Sequence, residues 1–133
     1  MPGETDLKTL LKNMIPKLNE GLYVFCTVPD LKAIAINQVI ATFAEEEGFT
    51  VILKKEIAEE LNLSYSYIAS WITLTVHSAL EAVGLTSAVS SALAKSLISC
   101  NVVAAYYHDH MFVDQKDTEL TLEVLRRLSS DSL

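Results

Sequence analysis

The sequence predicts an α+β fold made of two ferredoxin-like units, each with an antiparallel sheet and helices on one face. Apolar and polar residues alternate over residues 72–76, which is the period of a half-buried strand. The period lengthens to that of a helix over residues 85–93. Two further strand-like runs and a second helical run follow, so that residues 71–128 have the order βαββα. This order is most of a ferredoxin-like unit.

The last two strands of this stretch are predicted over residues 101–107 and 111–113. The polar triplet His108-Asp109-His110 between them predicts a hairpin turn centred on Asp109. A closing helix follows, with Asp114 or Asp117 as its N-cap. Its apolar face consists of Leu120, Val124, Leu125 and Leu128.

The first half of the chain shows a similar order of elements. Helical spacing over residues 6–14 ends before Pro16, and a buried strand is predicted over residues 22–28. Residues 32–43 fit a helix, whereas residues 38–44 fit a strand. A strand over residues 49–53 and a short helix over residues 54–61 follow. The polar and aromatic segment 62–70 is the best internal boundary.

Composition excludes two classes of protein. The net charge is −7 and no basic cluster occurs, which argues against nucleic-acid binding, since that draws its affinity from Lys and Arg on phosphates. No apolar run is long enough to span a membrane. The N-terminus lacks the features of a signal peptide, so we expect a cytoplasmic protein. In that compartment Cys26 and Cys100, both in apolar runs, should be reduced thiols.

A family resemblance follows from two segments. HSALEAVGLTSAVSSALAKSLISCNVVAAYYHDHMFV resembles the second half of a bacterial family of paired ACT-like domains, and the similarity extends upstream to IATFAEEEGFTVIL. Related paired domains occur in aspartokinase regulatory regions and in the cellular arginine sensor. The resemblance implies two ACT-type units, 1–66 and 67–133, with the βαββα core in 71–128. It also favours the strand for residues 38–44.

ACT domains are regulatory modules that bind amino acids or similar metabolites at the loop between their first strand and first helix. The corresponding loop here runs from His77 to Thr86. Backbone N–H groups at the start of the following helix suit a carboxylate, and Gly84 permits a positive φ and a close approach to the backbone. A turn at Gly84 with a helix capped by Thr86 or Ser87 explains the same residues without a ligand. The predicted ligand-binding residues of this loop are His77, Ser78, Glu81, Val83, Gly84, Leu85 and Thr86.

Three residues outside this loop are further candidates. The resemblance implies that an acidic loop closes over the ligand, so Glu46 or Glu47 can meet an amino group; a solvated loop is the ordinary interpretation of these residues. Asn101, at the start of a strand, can offer its amide to the same pocket or simply satisfy a turn.

The triplet His108-Asp109-His110 also permits a different hypothesis. Two imidazoles and a carboxylate, with help from His77, are ligand types that zinc or iron takes. Ordinary turn chemistry, with Asp109 capping backbone N–H groups and the histidines lining a surface, is the favoured interpretation of the triplet. The resemblance implies no metal role for it.

The sequence therefore predicts a non-enzymatic regulatory protein that binds a small metabolite, an amino acid first of all, without a cofactor. No nucleophile elbow, Walker loop, GxGxxG or CxxC pair occurs in it. Its expected partners are a second copy of the chain or a regulated enzyme. Two alternatives stay open: a metal site of His77, His108 and His110, possibly enzymatic, and an interaction module that binds nothing small.

Overall fold

A computed structural model describes residues 6–76 and 83–131. The elements in chain order are α1 (Leu7–Asn13), β1 (Pro16–Leu18), β2 (Tyr23–Val28), β3 (Val39–Glu45), β4 (Gly48–Lys54), α2 (Lys55–Glu60), β5 (Ile68–Leu74), α3 (Leu85–Lys95), β6 (Cys100–Ala104), β7 (Asp109–Asp114) and α4 (Thr118–Asp131). Short 3₁₀ helices at Ile36–Gln38 and Gln115–Asp117 precede β3 and α4.

Contacts within the chain divide it into two compact units. The smaller unit is Glu20–Ala69, and the larger one joins the residues up to Asn19 with those from Ser70 onward. Along the sequence, the smaller unit is thus inserted between the two segments of the larger one. The sequence division between residues 66 and 67 stays a prediction about where the two ACT-type units meet along the chain.

The smaller unit has an antiparallel sheet in the order β3-β4-β2, to which the first residues of β5 add next to β2. Strand β4 pairs with β2 from Tyr23↔Lys54 to Val28↔Phe49. The strand predicted over residues 38–44 is confirmed as β3. Apolar side chains of β2 and β4 form a buried cluster with α2: Val24, Cys26, Val28, Val51, Leu53 and Ala58.

The larger unit has the order β5-β7-β6, and the short strand β1 pairs with β5 as well. Helices α1, α3 and α4 contribute to one core with the sheet. The sequence did not predict β1, which contains a proline and only three residues. The fully buried members of this core include Leu10, Met14, Ile72, Leu74, Leu85, Leu93, Met111 and Leu125.

The predicted βαββα order of residues 71–128 is confirmed, and α3 begins at Leu85 as expected. The predicted position of the hairpin turn is wrong. Strand β6 ends at Ala104, the Ala105 N–H donates to the His108 carbonyl (3.0 Å), and β7 begins at Asp109. Asp109 and His110 are strand residues opposite Ala104 and Val103. The position of the turn agrees with the burial of the residues. Asp109 is 8% exposed, whereas Tyr106 and Tyr107 in the turn are each more than 60% exposed.

Three smaller expectations can be compared with the structure. The Asp114 carboxylate accepts from the Lys116 N–H (3.0 Å), so it caps the 3₁₀ helix, and α4 begins directly after Asp117. Cys26 and Cys100 are free thiols in β2 and β6, and burial raises the pKa of Cys26. No helix within residues 6–76 and 83–131 has both the length and the apolar character needed to cross a membrane.

Candidate functional site

The N-terminus of α3 presents backbone N–H groups outside the helical hydrogen-bond pattern. Gly84 is the N-cap residue, with φ 102° and ψ −21°, and no side chain of the described residues caps this end. The Ala88 N–H makes the first intrahelical bond, to the Gly84 carbonyl (2.8 Å). The N–H groups of residues 85–87 therefore lie ahead of the helical hydrogen-bond ladder. Together with the helix dipole they provide a positive surface for an anion.

Gly84 is also required by the fold. A Cβ on this residue would lie 3.1 Å from Leu7 Cδ2 of α1, and its left-handed φ disfavours every L side chain. The alternative in which Thr86 or Ser87 caps the helix does not occur, because the N-cap is Gly84 itself. A substitution at Gly84 will therefore lower stability whatever it does to a ligand.

The other predicted residues of this loop differ in their placement. Val83 and Thr86 are exposed, whereas Leu85 is buried in the core of the larger unit. His77, Ser78 and Glu81 lie outside the described residues, and their roles stay predictions.

Asp109 is a buried carboxylate at the start of β7. Alternation along the strand places it on the same face as Met111 and Val113, which pack into the core beneath α3 and α4. Its neighbour His108 donates from Nδ1 to the Val76 carbonyl (3.2 Å), which places His108, directly before β7, beside the chain just after β5.

No residue within the described ranges donates a hydrogen bond to the Asp109 side chain. Burial raises the pKa of Asp109, and His110 and His108 offset only part of that effect. A buried carboxylate without hydrogen bonds costs free energy unless a cation accompanies it. Among the acidic residues of the larger unit that the structure describes, Asp109 is therefore the one best suited to attract a positively charged ligand. Sequence reasoning took it for a turn residue, although its period-two spacing with Met111 and Val113 indicated the buried face.

His110 lies on the opposite face of the same strand, in a polar network. Its Nδ1 accepts hydrogen bonds from Trp71 Nε1–H (3.1 Å) and Thr73 Oγ1 (3.0 Å). The Asn19 amide donates to Thr73 Oγ1 (2.9 Å) and to the Trp71 carbonyl (3.2 Å). Because an indole N–H can only donate, neutral His110 must carry its proton on Nε2. His108, which donates from Nδ1 to a carbonyl, has the other tautomer.

These bonds lend no support to the metal hypothesis. The Nδ1 atoms of both histidines are engaged by protein groups, and their ring centroids are 6.5 Å apart. Among the described residues, no three His, Cys, Asp or Glu side chains are grouped so that they could hold a metal ion. His77, the third residue of that hypothesis, is not among them.

The His110 network makes stability depend on pH. Burial first, and then the nearby His108, lower the pKa of His110 below its ordinary 6.5. The folded state therefore binds fewer protons than the unfolded state below pH 6.5, and stability should fall as the pH drops through this window. Protonation of Nδ1 also removes the acceptor for Trp71, the single tryptophan of the chain.

We expect the fluorescence of Trp71 to change with a midpoint below pH 6.5 in a titration of the wild type. His110→Gln should abolish this transition. His108→Asn should keep it and move its midpoint upward, because His108 lowers the pKa of His110. If the transition persists unchanged in His110→Gln, a group other than His110 causes it.

The remaining candidates do not share the face of Asp109. Asn101 is opposite Phe112 in the β6–β7 register, which places its side chain on the sheet face of His110 rather than beneath α3. Glu46 and Glu47 form the exposed turn between β3 and β4 in the smaller unit. The Glu45 carboxylate accepts a hydrogen bond from Thr50 Oγ1, and this bond links β3 and β4 next to the turn.

Comparisons with known proteins match both halves of the chain to one family. An ACT domain model matches residues 2–70, and a second ACT domain model matches residues 66–127. No functionally curated protein matches the sequence.

Several solved structures are similar to the chain. A Vibrio cholerae protein of unknown function, described as a possible transport protein, is 46% identical, with a TM-score of 0.83 over 92% of this chain and 95% of that one. An Agrobacterium tumefaciens protein has a TM-score of 0.71 at 17% identity, over 87% and 89% of the two chains. The ligand-free regulatory subunit of Thermus thermophilus aspartate kinase has a TM-score of 0.59 at 10% identity, over 85% and 95%. The last two likenesses show the fold alone.

Proposed function

Since this chain belongs to the ACT-domain family, with two ACT units in one polypeptide, we propose that it is a non-enzymatic regulator that binds an amino acid in its larger unit. The buried carboxylate of Asp109, to which no residue of the described ranges donates a hydrogen bond, is the observation on which this proposal depends. The N-terminus of α3, which no described side chain caps, supports it as a place for the ligand's carboxylate.

The ligand's carboxylate would accept hydrogen bonds from the N–H groups of residues 85–87. Helix α3 has 11 residues, Gly84 has no side chain with which to cap its first turn, and the N–H groups of that turn carry partial positive charge. A hydrogen bond to a charged carboxylate is stronger than one between neutral groups. His77 and Ser78 stay predicted contributors of further hydrogen bonds.

The ligand's ammonium would pair with Asp109. The carboxylate already carries the cost of burial in the ligand-free protein, so a cation that reaches it gains a desolvated partner. Asp109 lies on the helix-covered face of β7, and its neighbour His108 contacts the Val76 carbonyl (3.2 Å). We assign the ammonium to Asp109 ahead of Glu81, and ahead of Glu46 and Glu47, which lie on an exposed turn.

Binding would regulate by shifting an equilibrium between two states that differ in affinity for the ligand. The expected homodimer and the regulated enzyme stay proposals, as does the cytoplasmic location. Strand β6 is the surface that we expect a second copy to use, because it ends the sheet order and carries no charged residue.

A thermal-shift screen of the twenty amino acids tests the proposal. At a concentration about one hundred times its dissociation constant, a ligand should stabilise the fold by about 2.7 kcal/mol. This corresponds to a rise in melting temperature of several degrees for a protein of this size.

The matched controls for any ligand found are its carboxamide and its des-amino analogue. Each removes one of the two charges, and each should lose most of the stabilisation. If none of the twenty amino acids raises the melting temperature, and the purified protein carries none, the ligand-free interaction module becomes the better account.

A further inference from the structure

The smaller unit contains a cleft that the amino-acid proposal does not use. Its volume is about 510 Å³, within the usual range of small-molecule sites. No side chain that lines it is ordinarily charged at neutral pH. The lining residues are Phe25, Cys26, Thr27, Thr50, Ser64, Tyr65 and Ser66.

The cleft exists because β2 is only partly covered on one side. Strand β4 pairs with β2 over its whole length, from Tyr23 to Val28. On the other side, β5 pairs with β2 only at Tyr23 and Val24. Beyond Val24, no strand of the described residues lies on this side of β2. Residues Ser64–Ser66, from the chain between α2 and β5, form the opposite wall of the cleft.

The backbone of Thr27 faces this open side. The Lys55 N–H donates to the Leu22 carbonyl (2.9 Å), so even-numbered residues of this strand direct their backbone groups toward β4. Thr27 must therefore direct its N–H and C=O the other way, into the cleft. No residue of the described ranges hydrogen-bonds to these two groups, and the Thr27 residue is exposed.

An N–H and a C=O of one extended residue form a donor and an acceptor side by side. A ligand that fits them has an acceptor and a donor adjacent on one planar edge. The ring of Tyr65 offers an aromatic wall, held by a hydrogen bond from its hydroxyl to Glu59 (2.7 Å), which also pairs with Lys55 (3.1 Å). The hydroxyl groups of Ser64 and Ser66 add polar partners on the same side.

We propose that this cleft binds an uncharged, planar, nucleobase-type heterocycle through the backbone edge of Thr27. A lactam edge, with N–H beside C=O, is the complement of the N–H and C=O of Thr27. A phosphate is not part of the ligand, because no cationic side chain lines the cleft and the chain has a net charge of −7. The site is built from β2, β4 and the segment before β5, so it stands independently of Asp109.

The test is an amide NMR titration of the full chain with uridine, whose base has the lactam edge. We expect shifts at Thr27, Thr50 and residues 64–66. 3-Methyluridine has lost the ring N–H, so its affinity should be lower than that of uridine by a factor of about ten or more. A factor of about ten corresponds to the loss of one hydrogen bond of about 1.4 kcal/mol. Uridine monophosphate should bind no better than uridine.

Variants separate the backbone edge from the aromatic wall. Thr27→Pro removes the N–H that the sheet does not use, a position where proline can be accommodated in a strand. It should weaken uridine binding about tenfold, the loss of one hydrogen bond. Should this variant not fold, Tyr65→Ala should weaken binding, with Tyr65→Phe, which keeps the ring, binding more tightly than Tyr65→Ala. No shift with millimolar uridine, equal binding of 3-methyluridine, or shifts confined to other residues would each overturn the proposal.

Discussion

Asp109→Asn should make the protein more stable and weaken its binding of the proposed amino-acid ligand. The substitution keeps the shape of the side chain and removes a buried charge that the nearby His110 and His108 offset only in part. We expect a gain of about 0.5–2 kcal/mol in the free energy of unfolding at neutral pH. Ligand affinity should fall about 30-fold or more, because the ammonium would lose its charged partner in a desolvated site. Differential scanning fluorimetry with and without the ligand measures both effects.

The stability gain should depend on pH in a defined direction. Because burial raises the pKa of Asp109 above its ordinary 3.8, the folded protein holds this proton more tightly than the unfolded chain does. The free energy of unfolding of the wild type therefore decreases progressively as the pH rises from about 3.8 through the folded-state pKa. The difference between wild type and Asp109→Asn should be largest at neutral pH and should shrink toward pH 4.

Glu46→Gln is the matched control, since it removes one negative charge from an exposed turn. It should change neither the melting temperature nor the affinity appreciably. If Glu46→Gln loses affinity while Asp109→Asn binds normally, the ligand's ammonium pairs with the acidic turn, as the sequence predicted, and not with Asp109. Destabilisation by Asp109→Asn would mean that the carboxylate makes favourable contacts in the free protein.

Leu10→Ala should have the largest effect on stability. Leu10 belongs to α1 near the N-terminus, yet it is 0% exposed and lies in the core of the larger unit with residues of β5, α3, β7 and α4. Truncation of a fully buried leucine costs about 2–5 kcal/mol, since it removes apolar burial and leaves a cavity. Urea unfolding at equilibrium, followed by circular dichroism, measures this loss.

Ile15→Ala, five residues further along, is the control. Ile15 is 66% exposed, so its truncation should change stability by about 0.5 kcal/mol or less. Equal effects of the two substitutions would contradict the packing of α1 in the larger unit. A small effect of both would mean that the core of residues 70–131 is complete without the N-terminal helix.

Much of the fold could be predicted from the sequence because its signals are local. Alternation over residues 72–76 and helical spacing over residues 85–93 depend on neighbouring residues only, and β5 and α3 follow them. The left-handed φ of Gly84 is a local property of the same kind, since glycine alone adopts it without strain. The N-cap Asp6 and the end of α1 before Pro16 also agree with sequence rules.

The tertiary structure alone decided three features, and each depends on strand pairing or burial that the local pattern of residues does not indicate. Strand β1, with Pro16 at its start, exists because Pro16–Leu18 pair with residues 72–74 of β5. The N-terminal residues join the larger unit because α1 covers a core that residues from 70 onward leave open. Asp109 belongs to a buried strand because its register partner is Ala104, while the tyrosines before it turn toward solvent. The polar triplet His108-Asp109-His110 resembles a turn in the sequence. In the structure Asp109 is buried in β7, and the turn lies about three residues earlier.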